Sequence, residues 1–252
     1  ILTPAFDYVR ARIALVYDGD SELAIDFAER ALDGFEKQGN TLWVHRTRYH
    51  IANIIYFRGS HQEALEICEK LIDVVKDNAE LHGLVSERLA MCWYRKGKPA
   101  KALQYIEPAI EELEQHSGWL ELSTAYQNIE LIYRALGMKE KADFCLKRLI
   151  HLRRALNNRE ELATALNNIG YQYYVDGDYQ AARDSFEEGL QLVRLMEGGR
   201  SKYFLSASLG DLARDCGYYD EAREHYQQTL DLIEDNEPYV RCEALTHLAT
   251  LY

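Results

Sequence analysis

Ala165-Leu-Asn-Asn-Ile-Gly-Tyr-Gln-Tyr-Tyr-Val-Asp-Gly-Asp-Tyr-Gln-Ala-Ala-Arg-Asp-Ser-Phe186 is the stretch that decides the architecture. Two glycines punctuate it, Gly170 and Gly177, and Ala182 and Phe186 follow. Downstream the same offsets return as Gly210, Gly217, Ala222 and Tyr226. Upstream the second glycine returns as Gly137, Gly97, Gly59 and Gly19, so that successive intervals are 40, 38, 40, 40 and 40 residues. A fixed period of this size means one supersecondary unit stacked on copies of itself.

The residues around each glycine define that unit. The alanine recurs as Ala142, Ala102, Ala64 and Ala24. Four residues before the glycine stands a large apolar residue: Tyr173, Tyr133, Trp93, Ile55 and Leu15. The glycine can end a helix in the left-handed region without a Cβ penalty. The small residues let two antiparallel helices approach, and the large one fills the volume beside them. Each unit therefore reads as helix A, a tight turn and helix B, with a longer loop to the next unit.

These residues resemble the tetratricopeptide repeat family across essentially the whole chain. The family period is about 34 residues; the extra residues here are expected after helix B. Stretched repeats of this kind are similar to those of MalT/LuxR-type sensor arms, Rap-type regulators and LGN/Pins scaffolds. The resemblance implies an all-α, right-handed α-solenoid of six helix-turn-helix repeats plus the start of a seventh. The repeats are expected at about 1–40, 41–78, 79–118, 119–158, 159–198 and 199–236, with a partial one at 237–252 in a single array. The chain begins at Ile1 and stops inside an expected helix A at Tyr252, with no polar capping helix at either end. Arrays normally carry such caps, so a piece of a longer protein is expected.

Cap signals follow the period. Thr3-Pro4 places proline at the first helical position. Asp20, Ser60 and Asp178 stand where helix B begins and can accept from its free N–H groups. Lys98-Pro99 and Asn236-Glu237-Pro238 are further starts. Pro108 falls inside helix B of the third unit, where a kink is expected.

Composition narrows the function. The formal net charge of −12 disfavours direct nucleic-acid binding, which rests on Lys and Arg neutralising phosphates. It leaves a basic partner as the better match. Five cysteines, Cys68, Cys92, Cys145, Cys216 and Cys242, form no CxxC and are expected within helices as small apolar residues. With no signal peptide and no apolar run near 18 residues, a reducing, cytoplasmic setting without membrane contact is the expectation. HExxH, P-loop, G-x-S-x-G and dinucleotide motifs are all missing. His45 and His50 are five apart and share no zinc-binding face. The adjacent pairs Glu111-Glu112, Glu160-Glu161 and Glu187-Glu188 point about 100° apart and form no acid/base couple. No enzyme activity, metal or cofactor is implied.

In the resembled superhelix the A helices line a concave groove. The register puts Tyr49, Asn53 and Tyr56 there, then Glu87, Met91 and Tyr94, then Gln127, Leu131 and Arg134. Asn167, Tyr171 and Tyr174 follow, then Ala207, Asp211 and Arg214. Asn128 and Asn168 occupy the place where peptide-binding members often hold a ligand backbone with asparagine. Tyr and Arg are enriched at binding hot spots, and Asn and Gln donate and accept at once. A clamp for a C-terminal carboxylate would need lysines that this lining set lacks. The expected function is a non-enzymatic module binding a protein segment or peptide within a larger regulator or scaffold. Alternatives are a small-molecule-sensing arm of a MalT/LuxR-type transcription regulator and a docking arm of a repeat-linked protease or ATPase.

If this register is right, Ala182→Trp forces a bulky side chain into a helix–helix contact. The fifth unit and its neighbours should then unfold together. Thermal unfolding followed by circular dichroism checks it; an unchanged transition would mean the register is wrong.

Overall fold

The computed structural model describes residues 3–15, 19–196, 200–233 and 238–250. Among them it holds thirteen α-helices and no strand. The chain divides into two compact units, 1–145 and 146–252.

In the first unit α1 (Pro4–Ile13) pairs with α2 (Ser21–Lys37), α3 (Thr41–Phe57) with α4 (His61–Ile72), and α5 (Ala79–Arg95) with α6 (Pro99–His116). α7 (Trp119–Ala135) and the first part of α8 (Lys139–Leu156) complete it. In the second unit the rest of α8 is followed by α9 (Arg159–Val175) packed on α10 (Tyr179–Val193) and α11 (Arg200–Asp215) packed on α12 (Tyr219–Leu232). α13 (Pro238–Ala249) lies against α12. Odd-numbered helices are the A helices and even-numbered ones the B helices. A helices also touch the next A helix: α3 meets α5 and α5 meets α7 in the first unit, and α9 meets α11 in the second.

The turns carry the period as expected. All six timing glycines have positive φ, from 64° at Gly19 to 95° at Gly59. At Gly177 the N–H donates to the Tyr174 carbonyl, and Asp178 N–H reaches back to Tyr173, closing α9 before α10 begins. Asp20 caps α2 by accepting from Glu22 N at 3.1 Å and Leu23 N at 2.9 Å, and Asp178 accepts from Ala181 N at 3.2 Å. Ser60 makes no side-chain cap bond, contrary to the sequence expectation. Pro4, Pro99 and Pro238 each begin a helix; Asn236 and Glu237 lie outside the described residues.

The connection between units is the expected longer loop at some steps and not at others: six residues separate α4 from α5. Two residues separate α6 from α7 and two separate α8 from α9, fewer than the three between α5 and α6. The extra length sits mainly in the helices, with A helices of 17 residues at α3, α5, α7 and α9. The B-to-A connections of two, three and six residues end alike on Asn158, Asn40 and Asn78, whose side chains accept from the first turn of α9, α3 and α5. α6 stays helical through Pro108. Pro108 and Gln104, whose carbonyl loses its partner, both lie on the exposed side, where solvent can satisfy that oxygen.

The core is made where small residues meet large ones. Ala182 and Phe186 of α10 are buried with Ala163 of α9 and Leu205 and Leu209 of α11. A Cβ on Gly170 would fall 2.5 Å from Phe186 Cε1, and one on Gly210 would fall 2.6 Å from Tyr226 Cε1. Thus α9 and α10, like α11 and α12, approach at a distance that only glycine allows. The cysteines only partly follow expectation: Cys68, Cys92 and Cys145 are buried and free, but Cys216 is half-buried in the turn after α11 and Cys242 is exposed.

Gly170→Ala should lower stability by about 1–3 kcal/mol, as overpacking does. Pro108→Ala should raise it by about 1–3 kcal/mol, because it restores a helix hydrogen bond on an exposed face. Urea titration of each variant reads both.

Candidate polar face of the A helices

Side chains that face one another across neighbouring A helices differ by about one period. Asn128 Nδ2 donates to Glu87, Ser208 Oγ donates to Asn167 Oδ1 at 2.9 Å, and Tyr174 OH donates to Asp215; each pair is separated by 41 residues. These bonds form polar rungs from one A helix to the next.

In the first unit the rungs surround a buried charge pair. Glu87 and Arg88 of α5 are only 3% and 5% exposed. Arg88 Nη2 lies 3.6 Å from Glu87 Oε2, and its guanidinium sits 4.4 Å over the Tyr56 ring. Such a buried pair demands compensation from its neighbours. Asn128 supplies one hydrogen bond to Glu87, and the Tyr56 ring supplies a cation–π contact to Arg88. Tyr56 OH accepts from Arg95 Nε at 3.1 Å. Burial, then the Glu87 charge, pushes Tyr49 up to about 12, so it remains a neutral phenol. Asn53 Oδ1 and Arg88 Nε are buried without a hydrogen-bond partner.

The sequence expectation therefore changes in this unit. Tyr56, Glu87 and Met91 do not line an open face but lie beneath it. Tyr49, Asn53, Tyr94 and Asn128 remain half-buried at its surface. Arg134 is half-buried and donates from Nε to Glu130 Oε1 at 2.6 Å.

The second unit has the more open face. Asn168 and Tyr171 are exposed, Tyr171 by 53%. The Tyr171 ring centroid is 6.0 Å from that of Tyr174, which lies 6.0 Å from Tyr179. Behind them Arg214 donates from Nε to Asp215 at 2.8 Å and from Nη1 to Asp211 at 3.2 Å. Asp211 also accepts from Tyr226 OH at 2.7 Å and faces His247 Nδ1 at 2.9 Å. Burial and the bond to Asp215 push Tyr174 up to about 12, while bonds from Tyr174 and Arg214 hold Asp215 below the usual carboxylate range despite its partial burial. The sequence reading found Asn167, Tyr171, Tyr174, Asp211 and Arg214, which the fold brings together with Asn168. It missed Ser208, Asp215, Tyr226 and His247. Three of these could have been found by adding 41 to Asn167 and Tyr174 and 15 to Asp211.

The face holds fixed hydrogen-bonding groups and aromatic surface. Burial pushes Cys92 and Cys145 up to about 11, away from thiolate. No group of three or more candidate ligands for a metal ion occurs among the described residues. Several cavities lie beside the B helices. One of 370 Å³ lies among α2, α3 and α4, one of 620 Å³ among α6, α7 and α8, and one of 610 Å³ among α10, α11 and α12.

Helix pairs closed by left-handed glycines, with small residues at the crossings and polar rungs between A helices, define a tetratricopeptide-type repeat array. Residues 161–235 match the family model described as Tetratricopeptide repeat. It is 25% identical over 227 residues to Protein KINESIN LIGHT CHAIN-RELATED 1 of Arabidopsis thaliana, an alignment that covers 83% of this chain. It spans 36% of that protein's length. In fold it is similar to a signal-transduction ATPase with a tetratricopeptide repeat sensor from Pyrococcus horikoshii. The TM-score is 0.78 at 14% identity, covering 98% of this chain and 36% of that one. It is also similar to a Rap protein solved with competence and sporulation factor, with a TM-score of 0.68 at 15% identity, covering 98% of this chain and 74% of the other.

The asparagine position holds His50, Arg88 and Ser208 in the other repeats. His50, equivalent to Asn128 and Asn168, is buried with its ring centroid 5.2 Å from that of Tyr8. Burial, then the Arg12 charge, pushes it down to about 4. Its folded value lies below its unfolded value near 6.5, so the unfolded chain binds more protons between the two. Stability from this group is complete above about pH 6.5 and declines as pH falls towards 4, by up to about 3 kcal/mol. Urea unfolding across this range should show that decline, and His50→Phe should flatten it.

Proposed function

We propose that this chain is a non-enzymatic recognition module of a larger regulatory or scaffold protein. It binds a protein segment or extended peptide on the A-helix face. The observation that carries the reading is the pairing of exposed Asn168 and Tyr171 with a fixed network behind them. Tyr171 packs beside Tyr174, and Tyr174 is tied to Asp215, which Arg214 holds in turn. Side chains ordered in advance lose little freedom on binding. An exposed tyrosine offers apolar area and a polar tip to one ligand. Asn168 can donate to and accept from a peptide backbone. A bound partner is supported by the likeness to a Rap protein that is solved with competence and sporulation factor. The acidic balance of the chain favours a basic segment.

The second reading is a sensor arm that binds a small effector, supported by the likeness to the repeat sensor of the signal-transduction ATPase. The two readings part on ligand size.

Asn168→Ala with Tyr171→Ala removes two exposed side chains without touching the rungs. A protein captured by the unaltered chain should be identified, and its binding segment synthesised and titrated. The double variant should bind that peptide at least about tenfold more weakly, as loss of a hot-spot residue does, with unchanged melting. Equal affinity would remove the second unit's face from the proposal, and capture only of low-molecular-weight compounds would favour the sensor reading.

A further inference from the structure

The cavity of 370 Å³ in the first unit lies on the side of α3 that faces α2 and α4. Its wall is aliphatic: Leu32 of α2, Ile51 of α3, Ile67 and Leu71 of α4, and Val74 just beyond α4. Three further side chains complete it, His45 and Arg48 of α3 and Lys70 of α4, and all three are basic. No carboxylate lines it.

That composition stands apart in a chain of net charge −12. The cavity among α6, α7 and α8 is built from the corresponding helices of a later repeat, and it is lined by Glu107, Glu111 and Glu140 with Lys141. The one among α10, α11 and α12 mixes Glu187 and Asp231 with Arg194, Lys202 and His225, so what sets the first apart is that its basic residues have no carboxylate among them. The three grooves share a backbone plan, so the basic rim of the first is a property of its side chains rather than of the fold. Arg48 is partly satisfied by Glu36 at 2.9 Å. Lys70 and His45 form no hydrogen bond or ion pair among the described residues. A cation at the mouth of an aliphatic cavity suits a ligand with an anionic end and an apolar body. The volume lies at the lower end of the range for small-molecule sites, about 300–1,000 Å³, where apolar walls carry a few convergent polar groups. Eight lining residues on three helices enclose a single small body; a docked helix would need a longer track.

We infer that the groove among α2, α3 and α4 is a binding site for a small amphiphile with an aliphatic tail and a carboxylate-like head. The tail lies against Ile51, Ile67 and Leu71, and the head meets Lys70 and Arg48. The site is separate from the polar A-helix face and does not depend on the function proposed for it.

Isothermal titration of the chain with decanoate tests this below the micellar concentration. Decyltrimethylammonium supplies the same tail with the opposite charge, and acetate supplies the anion without the tail. Decanoate should bind at least about tenfold more tightly than either, because the charged head and the buried tail both contribute. Lys70 and Val74 are exposed, so their replacement leaves the core intact. Lys70→Glu should weaken decanoate about tenfold, and Val74→Asp, which charges the aliphatic wall, should abolish binding, both with unaltered melting. Absence of decanoate binding, equal binding of the two amphiphiles, or an unaffected Lys70→Glu variant would each overturn the proposal.

Discussion

The close approach of an A helix to its own B helix is the constraint on which the rest of this structure depends. At Gly170 and Gly210 no Cβ fits, because Phe186 and Tyr226 already occupy the space. At Ala182 and Ala222 the opposite helix presses on a side chain that is fully buried. In α9–α10 and α11–α12 one large ring against one missing side chain sets how near the helices come; at the same offsets earlier pairs use Ala52 with Cys68 and Ala90 with Ile106. Because every unit buries its apolar surface on its neighbours, stability in such arrays is a sum of local terms and interfaces. The polar rungs follow from the same spacing. Once A helices stand side by side at a fixed step, residues about 41 positions apart meet whatever their identity.

Most of the helical layout was legible in the sequence because glycine and proline mark it chemically. The left-handed turn after each A helix needs a residue without a Cβ, and the period of those glycines dates every pair. Proline opens α1, α6 and α13 for the reason that also makes Pro108 conspicuous. The inter-repeat turns were read correctly only in part, since six residues join α4 to α5 but two join α6 to α7. Asn40, Asn78 and Asn158 fold back onto the next helix, and an isolated asparagine is a weak signal. Ser60 shows the converse, a suitable cap residue that makes no cap bond.

The A-helix face was legible in position but not in depth. Counting from Gly170 placed Tyr56, Glu87 and Met91 on the same stripe as Tyr171, yet the first three are covered. In the first unit α5 is buried along most of its length, so the stripe sinks below the surface there. Helical spacing tells which way a residue points, whereas neighbours decide how much solvent remains above it. The partner His247 belongs to another repeat and follows no such offset, so only the three-dimensional arrangement could reveal it. The cavity among α2, α3 and α4 was invisible for a related reason: its walls come from three helices and no local pattern joins them.

The glycine turns have one more consequence. Each of Gly19, Gly59, Gly97, Gly137, Gly177 and Gly217 has positive φ and nothing within 4 Å of the point where a Cβ would stand. An ordinary L side chain is strained there by its handedness rather than by crowding. A residue of the opposite chirality is not. D-alanine at Gly177 would rest in its own preferred region and restrict the unfolded chain more than glycine does. The array thus offers mirror-image positions at regular steps, where chemical synthesis could stiffen the protein without altering its A-helix face or its grooves.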